Sequence, residues 1–175
     1  MYYSFWDHTS IPKYVEYDIA GEDYKKLIHC CAKYAAFFSL SFTRNPAYKC
    51  KEPPFAPVWS KPYGDSHYLS HRNFYPCNEA TISYLETHVN GIFEWVQCWG
   101  FENPEDLTFY REDGTVLFWL WAHEGQAALF PRESEDVSQI VSMPGWEPCT
   151  SIYAAPLEHI QQKPQFCKDD FAKEQ

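Results

Sequence analysis

A histidine next to a glutamate, with an arginine and an aspartate upstream, is the strongest candidate for acid–base chemistry in this sequence. His123 and Glu124 end a run of apolar residues, and Arg111 and Asp113 border the turn before that run. A histidine beside carboxylates can titrate near neutral pH, and an arginine can hold an anionic group. Adjacent strand residues point to opposite faces, however, and Glu124 lies in a predicted turn. The pattern leaves open a small enzyme or ligand-binding site, but it predicts no catalytic residue.

Three potential metal ligands, His67, His71 and Cys77, lie close together in the sequence. The His-x-x-x-His spacing places two imidazoles on one side of a helical turn, as in zinc hydrolases. Those enzymes have a glutamate next to the first histidine, where this chain has Tyr68. The three residues are therefore weak candidates, and we predict neither a metal nor another cofactor.

The seven cysteines are scattered, odd in number and without a Cys-x-x-Cys pair. That distribution favours reduced thiols over a disulfide framework. The sequence also lacks the local signature of a cysteine protease, the Gly-x-Ser-x-Gly element of hydrolases and a glycine-rich phosphate loop. It therefore contains no decisive catalytic motif.

The balance of charge indicates which partners the protein can attract. Acidic side chains number 24 against 14 basic ones, which gives a net charge of −10 at neutral pH. Long nucleic acids need a basic surface, so they are not expected as partners. Aromatic residues make up 19% of the chain, more than a core of this size is expected to hide. A basic protein partner that meets exposed aromatic side chains agrees with both observations.

The length of 175 residues fits one domain, and 45% hydrophobic residues exclude a disordered chain. The amino-terminal segment lacks the basic and apolar regions of a secretory signal. No stretch approaches the roughly 18 uncharged apolar residues that cross a bilayer. We therefore expect a single cytoplasmic domain over residues 1–175 with no membrane association. Residues from about 163 to 175 are expected to form a flexible tail.

Hydrophobic periodicity predicts two amphipathic helices, over about 22–38 and about 79–98. Acidic residues at the start of the first helix favour its N-terminus, and Asn78 can cap the second. Cys31 lies on the apolar stripe of the first helix, so it is expected in the core. Both helices are expected to cover the same face of a sheet.

Alternating hydrophobicity predicts three antiparallel strands within 104–131, with turns at Glu112-Asp113-Gly114 and Glu124-Gly125. Short strands are also expected at 14–19 and 38–43. The expected fold is therefore α+β, with an antiparallel sheet of three to five strands packed on one face by the two helices. The order of the strands does not follow from the sequence.

Residues 46–62 contain five prolines, and the segment that follows, up to Pro76, is rich in tyrosine, histidine and serine. We interpret 46–76 as an arm or loop, which is longer than the usual connection in a compact domain. Such an arm can act as a lid or bind a partner. It can equally wrap the surface and seal the core with its own aromatic residues.

Side-chain alternation assigns the three central strands to two faces. One face is predicted to pack against the helices: Tyr110, Val116, Phe118, Leu120, Ala122, Ala127 and Leu129. The other mixes apolar residues with arginine, histidine and tryptophan: Phe109, Arg111, Leu117, Trp119, Trp121, His123, Gln126, Ala128 and Phe130. That mixture is enriched at binding hot spots, although the arm and an amino-terminal strand could also cover it.

The segments Pro104-Glu105-Asp106-Leu107, Phe109-Tyr110-Arg111, Asp113-Gly114 and Ala122-His123-Glu124 resemble an element found in a group of small, largely uncharacterised bacterial proteins. In that group a Pro-Glu-Asp-Leu-x-Phe-Tyr-Arg-x-Asp-Gly element precedes a strand that ends in Ala-His-Glu. The resemblance covers about 30 of the 175 residues. Small, acidic members of the group are similar in character to immunity proteins of polymorphic toxins, which implies a cytoplasmic protein that binds a toxin.

Our leading hypothesis is a non-enzymatic binding protein, specifically a bacterial immunity protein that neutralises a cognate toxin by covering its active site. Complementary charge would speed the capture of a basic toxin. The expected contact residues are Arg111, Trp119, Trp121 and His123, with Asp113 and Glu124 beside them, or else residues of the 46–76 arm. The alternative is a small enzyme or ligand-binding domain in which Arg111 clamps an anion and His123 moves protons. A third possibility is a structural subunit whose aromatic residues mediate homodimerisation, since the sequence does not determine the oligomeric state.

Overall fold

The computed structural model describes residues 2–6, 18–43, 50–63, 70–97, 102–122 and 125–149. These residues form an α+β fold with one antiparallel sheet, as predicted, but the sheet has eight strands rather than three to five. The strands are β1 (Tyr2–Trp6), β2 (Phe37–Thr43), β3 (Trp59–Tyr63), β4 (Ser70–Pro76), β5 (Glu105–Tyr110), β6 (Val116–Trp121), β7 (Gln126–Leu129) and β8 (Trp146–Cys149). The helices are α1 (Glu22–Tyr34), α2 (Glu79–His88) and α3 (Ser138–Val141).

The sheet order is β3-β4-β2-β5-β6-β7-β1-β8, so the three predicted strands β5, β6 and β7 lie next to one another near its middle. Strand β1 inserts between β7 and β8 and pairs with both. The sequence analysis missed this strand because a lone amino-terminal strand is stabilised only by distant partners. The predicted strand at 14–19 is not supported at its last two positions, and 14–17 lie outside the described residues.

The interpretation of 46–76 as an irregular arm is wrong for its second half, because β3 and β4 form within it. Strand β4 pairs with β2 along its whole length, from Phe37↔Pro76 to Thr43↔Ser70. Strand β3 contains Pro62, which lacks an N–H donor and is tolerated because β3 lies at the edge of the sheet. The described parts of the arm therefore extend the sheet sideways.

Helix α1 begins at Glu22, as predicted, with Glu22 and Asp23 in the first turn, where negative charge is favourable. It ends at Tyr34, four residues earlier than predicted, because the chain enters β2 at Phe37. The stripe facing the core includes Tyr24, Leu27 and Cys31, which are at most 1% exposed. The expected core position of Cys31 is confirmed.

Helix α2 begins with a capping box. The Asn78 side chain accepts from the backbone N–H of Thr81 at 3.1 Å, and the Thr81 hydroxyl accepts from the backbone N–H of Asn78 at 3.1 Å. The helix ends at His88, ten residues before the predicted end, and a short 3-10 helix follows at Ile92–Glu94. The apolar residues that suggested a longer helix, Ile92 and Val96, are buried all the same. The spacing of these residues therefore predicted their burial correctly, but it predicted too long a helix.

Gly91 lies where the chain leaves α2 and forms an isolated bridge with Ala20. A Cβ atom at this position would lie 2.7 Å from Oδ2 of Asp18, which is inside van der Waals contact. We expect Gly91→Ala to lower the free energy of unfolding by no more than about 1 kcal/mol, because the crowded atom is the end of the exposed Asp18 side chain, which can move away. Chemical denaturation measures the change. The double variant Asp18→Ala/Gly91→Ala should recover part of the loss, and an unchanged loss in it would contradict the proposed clash.

A β-bulge in β6 corrects the predicted faces of the central strands. Phe109 pairs with Phe118, but Tyr110 pairs with Val116, so Leu117 is the extra residue. Phe109 and Leu117 therefore pack with the helices, whereas Tyr110 and Val116 lie on the opposite face. The other predicted core residues, Phe118, Leu120, Ala122, Ala127 and Leu129, pack on the helix side as expected.

The main core lies between the helices and the sheet, and a buried polar link joins its two helices. The Tyr24 hydroxyl on α1 donates to the backbone carbonyl of Leu85 on α2 at 2.7 Å and accepts from Nε1 of Trp95 at 3.0 Å. The Tyr24 and Trp95 side chains are almost completely buried.

Among the described residues, no helix has the length and hydrophobicity to span a bilayer.

Candidate functional site

The face of the sheet opposite the helices, here called the distal face, carries two of the residues predicted to bind a partner, Trp119 and Trp121. Its centre is an apolar cluster with no exposed surface, formed by Phe74, Tyr110, Val116, Ala128 and Phe130. Phe37, Trp59 and Trp119 pack partly buried against it. Trp121 lies beside this cluster on β6, whereas Arg111 binds Glu135 in the 131–136 segment, whose Asp136 contacts Tyr34 of α1.

Arg111 is buried, and all five of its guanidinium N–H groups have acceptors within the protein. Nε and Nη2 donate to the two carboxylate oxygens of Glu135 at 2.6 and 2.7 Å. The other donors reach the carbonyls of Val116 at 2.7 Å and Phe130 at 2.6 Å, and the hydroxyl of Thr115 at 3.2 Å. All five N–H donors of Arg111 are therefore used within the protein. Through these hydrogen bonds the side chain holds β6, β7 and the 131–136 segment together. It does not present a guanidinium to an external anion.

Asp113 joins the same network from the β5–β6 turn. It accepts from the backbone N–H and the hydroxyl of Thr115 at 3.0 and 2.7 Å, and it forms an ion pair with Arg132. Burial opposes ionisation of Asp113, but the hydrogen bonds from Arg132 and Thr115 outweigh it and lower the pKa to about 2. Asp113 therefore stays ionised and fixes the turn.

The pKa of Glu135 is also lowered. Burial alone would raise the pKa of its carboxyl, but the hydrogen bonds from Arg111 and from the backbone N–H of Arg132 lower it below the ordinary value. Glu135 is the partner that completes Arg111, and it lies 24 positions away in the sequence. No local sequence pattern predicts a contact between residues so far apart in the chain.

The two lowered pKa values predict loss of stability in acid. A carboxyl with a depressed pKa in the folded state stabilises the fold above its ordinary pKa, and this contribution disappears as the pH falls through the folded-state value. The ordinary values are 3.8 for Asp113 and 4.5 for Glu135. The free energy of unfolding should therefore fall as the pH drops from about 5 toward 2. Denaturation curves at stepped pH measure this slope, which should flatten in Glu135→Gln but not in the exposed control Glu52→Gln. Equal slopes in both variants would contradict the assignment.

Trp119 and Trp121 follow one another on the distal face of β6. Trp119 is partly buried against the apolar cluster, and its ring centroid lies 5.8 Å from that of Trp121. Trp121 is 39% exposed, and Val58, at 46%, is the only other large hydrophobic residue exposed in the described part of the chain. Trp121 thus presents a large apolar surface to solvent while its neighbour supports it.

The start of β5 fixes the end of β6. Buried Asp106 adopts a positive φ of 56°, and its Oδ1 accepts from the backbone N–H of Ala122 at 3.2 Å. This aspartate belongs to the Pro-Glu-Asp-Leu segment, so part of that sequence element has a local structural task. His123 and Glu124, which follow Ala122, lie outside the described residues.

A buried polar group on the distal face was not recognised in the sequence. Arg72 on β4 donates to the Ser41 hydroxyl at 3.1 Å and to the Tyr110 hydroxyl at 3.3 Å, and Tyr110 shares a 3.2 Å hydrogen bond with Ser39. These four side chains are at most 6% exposed. Alternation along β2 and β4 could have placed them together only if β4 had been recognised as a strand.

The three weak metal candidates do not share a helical turn. His71 is a strand residue, stacked on Phe42 with ring centroids 5.2 Å apart, whereas Cys77 follows the other end of β4. Six residues of extended chain separate them by about 20 Å, and His67 lies outside the described residues. Within the described ranges, no group of three or more histidine, cysteine or acidic side chains is arranged to hold a metal ion.

Comparisons with known proteins give no match to this chain among protein-family models, curated proteins or solved structures.

Proposed function

We propose that this protein is a non-enzymatic binding protein that acts like a bacterial immunity protein, by capturing a basic toxin and covering its active site. The observation that carries the proposal is the exposed Trp121, supported by Trp119 on the surface of a protein with a net charge of −10. Tryptophan is among the residues that contribute most to binding energy in protein interfaces.

The net charge of the chain supports a basic partner. Glu112, Glu133 and Asp136 are exposed, whereas nearby Arg111 and Arg132 are engaged with Glu135 and Asp113. These carboxylates lie in or near the β5–β6 turn, at the end of β6 away from Trp121, and they add to the negative charge of the molecule as a whole. Such complementarity speeds diffusional encounter and excludes partners of like charge.

The geometry does not favour the alternative of an anion-binding enzyme built on Arg111. Its guanidinium already donates to four different groups of the protein, so binding an anion would require breaking the Glu135 ion pair in a buried position. That cost would have to be offset by the ligand.

The test is affinity capture from the native host under low-salt conditions, with intact-mass analysis of the co-eluting proteins. We expect one stoichiometric protein of basic isoelectric point, released as the salt concentration rises. The same experiment with Trp121→Ala should lose it. Retention of a small molecule with no protein partner would overturn the proposal, and so would a partner that binds the variant as tightly.

A further inference from the structure

A groove separates α1 from α2 on the helical side of the molecule and has a volume of about 520 Å³. Helix α2 lines it with four residues spaced as one helical face: Glu79, Ile82, Ser83 and Glu86. Helix α1 contributes His29 and Ala32, and Cys77 and Asn78 lie at the end where α2 begins. We call this feature the interhelix groove. It lies on the side of the sheet opposite the distal face.

The lining of the interhelix groove combines apolar surface with carboxylates. Ile82 and Ala32 supply the apolar part, and Glu79 and Glu86 lie two helical turns apart, about 10 Å along the α2 axis. The Glu86 side chain is 18% exposed, and its Oε1 lies 2.5 Å from Nε2 of His29. The apolar part of the lining and the carboxylates suit a ligand that is apolar along its length and positively charged at its end. Lysine and arginine side chains have this construction.

We infer that the interhelix groove receives a lysine or arginine side chain from a basic protein partner, with the aliphatic stem on Ile82 and Ala32 and the charged group at Glu79 or Glu86. This inference rests on the proposed function, since it names a second contact of the same acidic protein with its basic partner. The volume of the groove lies within the roughly 300 to 1,000 Å³ of ligand pockets, so it has room for one lysine or arginine side chain.

The chemistry of the groove excludes two other occupants. An anion at the N-terminus of α2 would compete with Glu79 and with the Asn78 side chain, which already accepts from the Thr81 N–H. A metal held through a thiolate would need ionised Cys77, but burial raises the pKa of this thiol to about 12. The groove is therefore suited to an organic cation.

The test uses Nα-acetyl-arginine methylamide as the probe and its citrulline analogue as a neutral control of nearly the same shape. Methyl resonances of Ile82 and Ala32 should shift saturably with the arginine compound and not with the citrulline compound. Glu79→Gln/Glu86→Gln should weaken this binding about fivefold, as expected for the loss of one partly exposed ion pair. The control Glu52→Gln/Glu102→Gln makes the same change in net charge outside the groove and should leave binding within twofold.

A second variant, Ser83→Leu, replaces an exposed residue of α2 and fills the groove without changing the charge. It should abolish the arginine-dependent shifts. Equal shifts with both compounds, or no saturable shift, would overturn the inference. Failure of the proposed function looks different, because it would appear as the absence of a protein partner while the arginine shifts persist. If a partner is captured but binds Glu79→Gln/Glu86→Gln and the Glu52→Gln/Glu102→Gln control equally, only the groove inference is wrong.

Discussion

Replacing Glu135 by alanine is expected to lower the free energy of unfolding by about 3 to 5 kcal/mol, the largest loss among the substitutions considered. The substitution removes both carboxylate oxygens that accept from Arg111, whose side chain is 5% exposed. The guanidinium would then be a buried charge with no counter-ion, and its remaining acceptors are two carbonyls and one hydroxyl. Such a group is costly because the interior solvates charge poorly. Urea denaturation followed by tryptophan fluorescence and circular dichroism measures the loss.

The matched control is Asp113→Asn, which weakens the second ion pair of the same network. Asp113 and Arg132 are each about half exposed, so this pair should contribute no more than about 1 kcal/mol. The double variant Arg111→Met/Glu135→Leu tests the cause, because it removes the buried charge together with its partner. We expect it to be more stable than Glu135→Ala alone. A double variant as unstable as the single one would mean that Glu135 acts mainly through packing or through the Arg132 backbone.

The central strands show how far the sequence could predict this fold. Alternating hydrophobicity and two glycine turns located β5, β6 and β7, because adjacent antiparallel strands are specified by local signals. That pattern could not reveal the bulge at Leu117. One extra residue exchanges the faces of the residues before it in the paired strands, but it leaves the composition of the strands unchanged. The prediction therefore found the strands but exchanged the faces of four of their residues.

The outer strands and the helix ends depended on distant contacts. Strands β1, β3, β4 and β8 pair with segments far away in the chain or contain proline, so neither periodicity nor propensity identified them. Helix α2 ended early because Gly91 approaches Asp18 and Ala20, which the sequence does not place nearby. Burial of the apolar positions beyond α2 was nevertheless predicted correctly.

For the candidate site, residue types predicted which side chains lie together better than they predicted what those side chains do. Arginine and aspartate between two strands suggested ligand binding, but their carboxylate and guanidinium partners, Glu135 and Arg132, come from a later segment. Tryptophan at alternate positions suggested a shared face, and the 5.8 Å separation of the Trp119 and Trp121 rings agrees with that prediction. Polar groups in a strand region are thus ambiguous until their partners are known.

Replacing Trp121 by alanine is expected to weaken binding of the captured partner by at least about 30-fold, the effect of a loss of roughly 2 kcal/mol at an interface hot spot. The side chain is 39% exposed in the protein alone, so it has apolar surface left to bury in a complex. Stability should change by less than about 1 kcal/mol, because the substitution does not open a cavity in the main core. Titration calorimetry with the purified partner measures the affinity.

Val58→Ala is the matched control for this prediction, because Val58 is also exposed, at 46%, but precedes the edge strand β3 instead of lying on β6. It should reduce affinity less than twofold if Trp121 marks the contact surface. Trp119→Ala is less informative, since Trp119 is packed against the apolar cluster and its loss would lower stability and affinity together. Equal losses for Trp121→Ala and Val58→Ala would indicate a nonspecific apolar contribution. Unchanged affinity in folded Trp121→Ala would place the contact elsewhere on the molecule, because a supported, exposed tryptophan inside an interface is not energetically neutral.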